Sequence, residues 1–518
     1  MTCHYYLNDE TDPIEALHSF RDLGQLQIGL PIMVERVFFD SFDWRLYQDG
    51  GMLVQEQEHG RTRSKWLRLT DNQLMGMLMA KVPRFPRDLP EGPMRQRLVP
   101  LLEMRALLPL VKMKSQVYRA AVLDKQLKTV LRLSVELGCV HGNGNSITGT
   151  LPPRFNLEPV KGYIKPVLKA QTVLEHVLRL EPAVPLLDEA LSIIGRRAGD
   201  YTGKIKVDLS PELPAGEAVR RILLNLLETL ERNLEGARAD YDSEFLHDFR
   251  VAVRRTRSLF SQVKGVLPAD ALNRFRPGFK WLGQITGSTR DLDVYLLKLP
   301  VYREALPNSM QDDLDPLKDY LERHQKIEQR QLAKLLDSAR FKHLCHDWRM
   351  FLEKDLDYLS WSDKASKPIL NIANRQIWKT YKQVLREGEA INVNSAAEAL
   401  HELRITCKKL RYLMEFFQTL YPEGKIRALI KALKLLQDNL GDFQDLEVQA
   451  DALRGFGHQM KSDEADLPGE VFMAMGVLID NLHQGQQAER QKFADRFASF
   501  ARPKNRKLCS ELFNLRGR

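Results

Sequence analysis

The sequence predicts a multidomain chain: an α+β region over residues 1–200, then an all-helical region from residue 214 onward built as a twofold repeat. Three observations predict it. The first part contains short runs in which apolar and polar residues alternate. Near Pro214 the texture changes to leucines spaced by three and four. Two motifs of the helical part then recur at a single offset of 154 residues, as from His247 to His401. At 518 residues the chain is also too long for one hydrophobic core.

In the first part, Val37–Phe39, Trp66–Leu69, Gln116–Leu123 and Lys128–Glu136 read as strands. In the last run, Val130, Arg132, Ser134 and Glu136 alternate with Leu131, Leu133 and Val135. Asp124-Lys125 separates the last two runs and is the predicted hairpin turn. Pro83–Pro93 and Gly142–Pro153 read as loops, and helices are predicted over Asp71–Lys81 and Lys165–Ile194. Residues 201–213 have no period and read as a linker. Beyond it, Leu223, Leu226, Leu227, Leu230 and Leu234 mark a helix, and Pro268, Pro300, Pro307, Pro368 and Pro422 punctuate the rest of the chain.

Composition excludes more than it identifies. The chain is 43% hydrophobic and 28% charged, with 77 Lys and Arg against 68 Asp and Glu. The net charge of +9 permits an anionic partner without naming one. The five cysteines, Cys3, Cys139, Cys345, Cys407 and Cys509, form no C-x-x-C pair and are odd in number. Neither a disulfide framework nor a zinc cluster is expected, and a reducing compartment is. Met1–Glu15 is polar and acidic, and no apolar run approaches about 18 residues. The expectation is therefore a cytoplasmic protein with no membrane span.

The repeat carries the functional signal. H-D-F-R-V-A-V-R-R-T-R (His247–Arg257) matches H-E-L-R-I-T-C-K-K-L-R (His401–Arg411). His aligns with His, Arg250 with Arg404, Arg254-Arg255 with Lys408-Lys409, and Arg257 with Arg411. At the same offset, G-S-T-R-D-L-D-V (Gly287–Val294) matches G-D-F-Q-D-L-E-V (Gly441–Val448), and Lys280 matches Lys434. Two motifs in register without a gap argue against chance. Lys431 and Arg427 extend the second copy at helical spacing.

A helix turns about 100° per residue. With His247 at zero, Arg254, Arg250 and Arg257 fall near −20°, −60° and −80° by that turn angle. Phe245, Phe249, Val253, Phe260 and Val263 cluster on the opposite side, as Leu403, Cys407, Leu410 and Phe417 do in the second copy. Each helix thus has a core face and a cationic face. Like charges at i+3 and i+4 cost roughly a few tenths of a kcal/mol per pair. A single such row reads as a solvated face with acids supplied by another helix; two matching rows favour an anion site. Asp291, Asp293, Asp445 and Glu447 resemble metal ligands, but caps and ion pairs are the expected role. Trp281 reads as core.

These paired helices and paired G-x-x-x-D-L-[DE]-V segments resemble the CHAD family, the conserved histidine α-helical domain, over residues 214–515. The resemblance implies two pseudo-twofold-related four-helix bundles, with repeat halves at about 214–365 and 366–515. It also implies a basic groove that binds inorganic polyphosphate, and association with polyphosphate granules. On this likeness the groove residues are His247, Arg250, Arg254, Arg255, Arg257, Lys280 and Arg290. Their partners are His401, Arg404, Lys408, Lys409, Arg411 and Lys434, with Lys431 added on the second copy. Gln444 stands at the repeat position of Arg290.

CHAD domains often follow a CYTH, or triphosphate-tunnel, domain, and residues 1–200 resemble a diverged one. F-F-D-S-F-D-W-R-L-Y-Q-D-G (Phe38–Gly50) is similar to the family's strand, D-T-x-D turn and L-x-x-x-G, and L-E-P-V-K-G-Y (Leu157–Tyr163) to a later strand. The likeness implies a β-barrel tunnel, of which Lys112, Lys114, Arg119, Lys128 and Arg132 read as basic remnants. The family's metal-binding E-x-E-x-K is missing before Phe38; Glu56 and Glu58 come too late and lack the Lys. The expectation is a degenerate tunnel with no metal site, no cofactor and no catalytic residue. Non-catalytic polyphosphate binding is the leading reading. A CYTH-type metal-dependent triphosphatase and a nucleic-acid binder are the alternatives, the latter disfavoured because only Tyr412 adjoins the basic rows.

Overall fold

The computed structural model describes residues 3–70, 72–142, 146–205, 207–354, 361–464 and 466–514. The chain divides into two compact units, 1–203 and 204–518.

The first unit is one antiparallel sheet with short helices. Its elements run β1 (Cys3–Tyr6), α1 (Pro13–His18), β2 (Gln25–Ile28), β3 (Ile32–Asp40), α2 (Arg45–Gln48), β4 (Gly51–Glu58), β5 (Arg61–Arg68) and β6 (Leu74–Leu78). Then come α3 (Pro93–Leu102), β7 (Leu108–Leu123), β8 (Thr129–His141), β9 (Ile147–Thr150), β10 (Arg154–Pro159), α4 (Ile164–Thr172) and α5 (Leu186–Ile193). The order is β1-β10-β8-β7-β3-β4-β5-β6, with β2 added to β7 and β9 to β8. His4 on edge strand β1 bonds Asn72, which follows β5 near the other edge, at 2.7 Å. Such a bond requires the sheet to curl on itself, so the expected barrel is a half-barrel with its edges bridged by side chains.

The predicted β7–β8 hairpin forms where expected. The Asp124 carboxylate accepts from the amides of Gln126 and Lys128, and Leu127 takes the left-handed φ of 57°. Two readings are corrected. The helix predicted over Asp71–Lys81 is the edge strand β6, paired to β5, with Asp71 itself outside the described residues. A short apolar run has no decisive period, and pairing with β5 decides it. The helix predicted over Lys165–Ile194 breaks after a π-turn at Val173–Val177, because Pro182 and Pro185 separate α4 from α5. Of the loop predicted over Gly142–Pro153, residues 143–145 lie outside the described residues, and β9 occupies part of the rest.

The second unit is helical: α6 (Ala215–Arg238), α7 (Ser243–Gln262), α8 (Ala269–Ile285), α9 (Gly287–Glu304), α10 (Asp315–Leu336) and α11 (Ala339–Glu353). They are followed by α12 (Ile369–Ala390), α13 (Ala397–Phe416), α14 (Glu423–Asp463), α15 (Gly469–Ala501) and α16 (Pro503–Phe513). The helices α6, α7, α8 and α10 begin 154 residues before α12, α13, α14 and α15. The segment before α6 packs on this unit: Gln418 donates to the Ile205 carbonyl and Thr419 to that of Val207.

Reciprocal contacts reveal a pseudo-twofold axis. The Ala215 amide bonds the Lys367 carbonyl at 2.9 Å, and the Ile369 amide bonds the Leu213 carbonyl at 2.8 Å. Tyr302 donates to Gln449 at 2.6 Å, and the repeat images of that pair, Phe456 and Tyr295, stack edge to face at 5.1 Å. One core of buried residues, from Leu292 through Leu321 and from Ala450 through Leu482, belongs to both halves. No helix among the described residues is long and apolar enough to cross a membrane.

Candidate functional site

The two His-to-Arg rows lie on α7 and α13, and their opposite faces are interior. Phe245, Phe249, Val253 and Phe260 are buried, as are Leu403, Cys407, Leu410 and Phe417. Asp242 caps α7 by accepting from the amides of Glu244 and Phe245. Gly236 lets α6 approach: a Cβ there would lie 2.2 Å from the Phe245 ring. These contacts fix the roll of α7 and so aim its cations. Arg254 and Arg257 are exposed, while His247, Arg250 and Arg255 are half-buried.

Several cations are held by specific partners. Arg250 donates to Thr286 Oγ1 at 2.9 Å and to the Gly283 carbonyl at 3.3 Å. Its image Arg404 pairs with Asp445 at 2.8 Å. His401 Nδ1 donates to Gln444 Oε1 at 2.6 Å. Arg290 donates to the Ser243 carbonyl at 2.9 Å and lies 3.5 Å from Glu244. Between the two rows, Arg255 of α7 and Arg411 of α13 share Glu415, at 3.0 and 3.5 Å. The acids absent from the motifs are thus partly supplied from outside them.

Others have no acid. Among the described residues, Arg254, Arg257, Lys280, Lys408, Lys409, Lys431 and Lys434 make no ion pair. Lys280 projects from α8, and Lys431 and Lys434 from α14; all three are exposed. Arg257 reaches over α8, its Nη1 2.7 Å from where a Cβ on Gly283 would stand. Lys408 is half-buried, and that burial, together with Arg404 and Arg254, pushes its ammonium down to about 8. Arg254 and Lys408 come from different repeats, so the fold brings the two rows together at this point. Arg427, which pairs with Glu423 at 2.5 Å, stands apart from them.

The second motif does not start a helix at an aspartate. Thr286 joins α8 to α9, and α14 runs unbroken through Gly441. Asp293 accepts from Gln325 at 3.1 Å, and burial raises its carboxyl to about 6. Glu447 accepts from Gln444 at 3.3 Å. Trp281 is half-buried under the Arg340 guanidinium, 4.2 Å from the ring centre. Beside His247, Arg250, Arg254 and Arg290 lies a cavity of about 820 Å³ that also takes in Lys298 and His324. Sequence reasoning missed both; Arg290, Val294 and Lys298 at spacings of four on α9 were the available signal.

In the first unit a cavity of about 460 Å³ collects His4, Arg36, Glu56, Lys65, Glu136 and Arg154. Its charges cancel. Arg36 pairs with Glu56 at 3.0 Å and with Glu136, and Lys65 reaches Glu56 at 2.6 Å. Burial works to raise Glu56, but Arg36 and Lys65 hold its carboxyl down at about 2. Of the five basic remnants, Arg119 pairs with Glu58 and Arg132 with Glu158. Lys112 and Lys114 pair with Glu35, in cross-strand register with Lys114 and next to Arg36, so they point to the other face. Lys128 precedes β8 in the hairpin turn. Asp40 of the D-S-F-D segment accepts from the amides of Ser41, Leu46 and Tyr47, which makes it a turn-former. Among the described residues no group of three or more His, Cys, Asp or Glu is placed to hold a metal ion.

Comparison with known proteins places part of this chain in a family. The family model described as CHAD domain matches residues 221–454. No curated protein matches the chain. Among solved structures, the CHAD domain from the plant Ricinus communis is 26% identical, covering 54% of this chain and 94% of that one, with a TM-score of 0.44. PptA from Streptomyces chartreusis is 14% identical over 55% of this chain and 99% of its own, also at 0.44. A protein assigned as an adenylate cyclase from Bacillus halodurans is 12% identical over 35% and 90%, at 0.25. The family match ends inside α14, although α15 completes the shared core. Residues 221–454, which carry both His-to-Arg helices and both Gly-to-Val segments, are a CHAD domain.

Proposed function

We propose that the helical unit binds inorganic polyphosphate along the adjoining cationic faces of α7 and α13, without turning it over. The observation that carries this reading is Lys408, kept half-buried beside Arg254, Arg404 and Arg411, while the nearby Asp445 is already paired with Arg404. A fold that stores like charges this closely gains most from a ligand that neutralises several at once. A polyphosphate chain has that chemistry. Arg254 and Arg257 grip its oxygens as planar forks, and Lys280, Lys408, Lys409, Lys431 and Lys434 add point charges. The partnered cations Arg250, Arg255, Arg290, Arg404 and Arg411 frame this set, and His247 and His401 add donors whose charge follows pH. Each row spans about 15 Å, so a long chain needs both repeats. Association with polyphosphate granules in the cytoplasm follows from the same reading.

The test is affinity against chain length at two salt concentrations. Arg254→Glu with Arg257→Glu, and separately Lys408→Glu with Lys409→Glu, are each expected to weaken long-chain polyphosphate by roughly tenfold or more, and tripolyphosphate less. Wild-type affinity is expected to fall with salt by about 0.7 log units per contact for each log unit of salt. One silent pair, or affinity indifferent to salt, removes the shared site.

A further inference from the structure

The 820 Å³ cavity beside the α7 cations draws on both halves: Asp291, Val294 and Lys298 line it together with their repeat images Asp445, Val448 and Ala452, but three of its polar residues have no polar image. Where Lys298, His324 and Glu328 line it, the repeat carries Ala452, Leu478 and Leu482. Leu478 and Leu482 are buried in the shared core. His401 is tied to Gln444 and Arg404 to Asp445, whereas Arg250 turns away from Asp291, the image of Asp445, to Thr286. Leucines on α15 fill the positions that His324 and Glu328 leave open on α10.

The cavity has three kinds of wall. Arg250, Arg254 and Lys298 supply positive charge, and His247 adds a ring beside them. Val294, Val448, Ala452 and Phe456 supply an apolar wall, of which Val448 is 52% exposed. Asp291 and Glu328 add carboxylates, and burial raises the carboxyl of Asp291; the third, Asp445, is already paired with Arg404. Bare polyphosphate has no use for an apolar wall and is repelled by carboxylates. A nucleoside phosphate uses all three: phosphates on the cations, the base against Phe456 and its neighbours, and sugar hydroxyls donating to a carboxylate. The size suits such a ligand, since small-molecule sites run to about 300–1,000 Å³. We propose that this cavity is a nucleoside-phosphate site, distinct in ligand class from the polyphosphate face it adjoins.

The experiment is calorimetric titration of the full chain with ADP and with pyrophosphate, which carry the same two phosphates. ADP is expected to bind at least roughly tenfold tighter. The triple variant Lys298→Ala, His324→Leu, Glu328→Leu gives the first half the residues the second half uses. It is expected to lose ADP binding while long-chain polyphosphate affinity stays within about twofold. Val448→Glu, a change at an exposed position, is expected to weaken ADP roughly tenfold with the fold intact by circular dichroism. Equal affinity for ADP and pyrophosphate overturns the proposal, as does ADP affinity unchanged in Val448→Glu. Neither result bears on polyphosphate binding, which is read separately on long chains.

Discussion

The cavity of the first unit and the helix faces of the second both gather cations, and they treat them in opposite ways. In the first, Arg36, Arg63 and Lys65 converge on Glu56, and Arg119 turns to Glu58. In the second, seven cations stand without an acid among the described residues, and Arg255 and Arg411 must share one. The titrating groups record the difference. A carboxyl held down at about 2 marks cations already satisfied, whereas burial and the neighbouring guanidinium groups push an ammonium down to about 8 where acids are few. A count of Lys and Arg would not separate the two sites; the location of the acids does.

The largest expected effect breaks the satisfied side. Glu56→Ala strands Arg36 in a site where only Glu136 remains, which should destabilise the first unit by about 3–5 kcal/mol. Hydrogen exchange of the β3 and β4 peptides reads it, and unchanged protection would show the network to be incidental.

The next effect has the opposite sign. The folded ammonium of Lys408 titrates near 8 and the unfolded one near its ordinary value of 10.5. Between those values the unfolded chain binds more protons, so stability rises with pH; below about pH 8 the full penalty is present. Lys408→Met should therefore stabilise the protein at pH 7, on the order of 1 kcal/mol after solvent screening. It should also flatten the rise in urea midpoint above pH 8. The same change should weaken polyphosphate. A midpoint that drops at pH 7 would mean that Lys408 is satisfied after all.

The smallest effect sharpens the border between the two classes. Glu415→Gln loosens the Arg255–Arg411 clamp and should cost about 0.5–1 kcal/mol. It also frees positive charge, so polyphosphate should bind slightly tighter. Tighter binding with lower stability separates a clamp from a contact; weaker binding would assign Glu415 a direct role in shaping the site.

The helical fold was legible because its periodic apolar residues all do one job, as Phe249 and Leu403 do on opposite copies of the same interior. The repeat register was legible for the same reason. What escaped was decided by contacts far apart in sequence. The strand at Leu74–Leu78 depends on β5, and the mate of Arg255 lies 160 residues away on α13. Lys298 and His324 escaped because their meaning comes from a contrast: the image of Lys298 is the small Ala452, and the image of His324 is Leu478, buried in the core. In the first unit, the D-S-F-D turn was legible as a segment, but its role in capping α2 through Asp40 depends on backbone amides that no motif names.

One asymmetry of the repeat bears on mechanics. The first half has a joint at Thr286 between α8 and α9, and the second half has a single 41-residue helix in their place. At 1.5 Å per residue that helix is a strut about 60 Å long. Lys431 and Lys434 ride near one end of it, and Val448, Ala452 and Phe456, the apolar wall of the cavity, ride about 27 Å farther along. A load applied to the lysine end is delivered to that wall as tilt, with little lost along the way. In the first half the same path is interrupted by the one-residue break at Thr286.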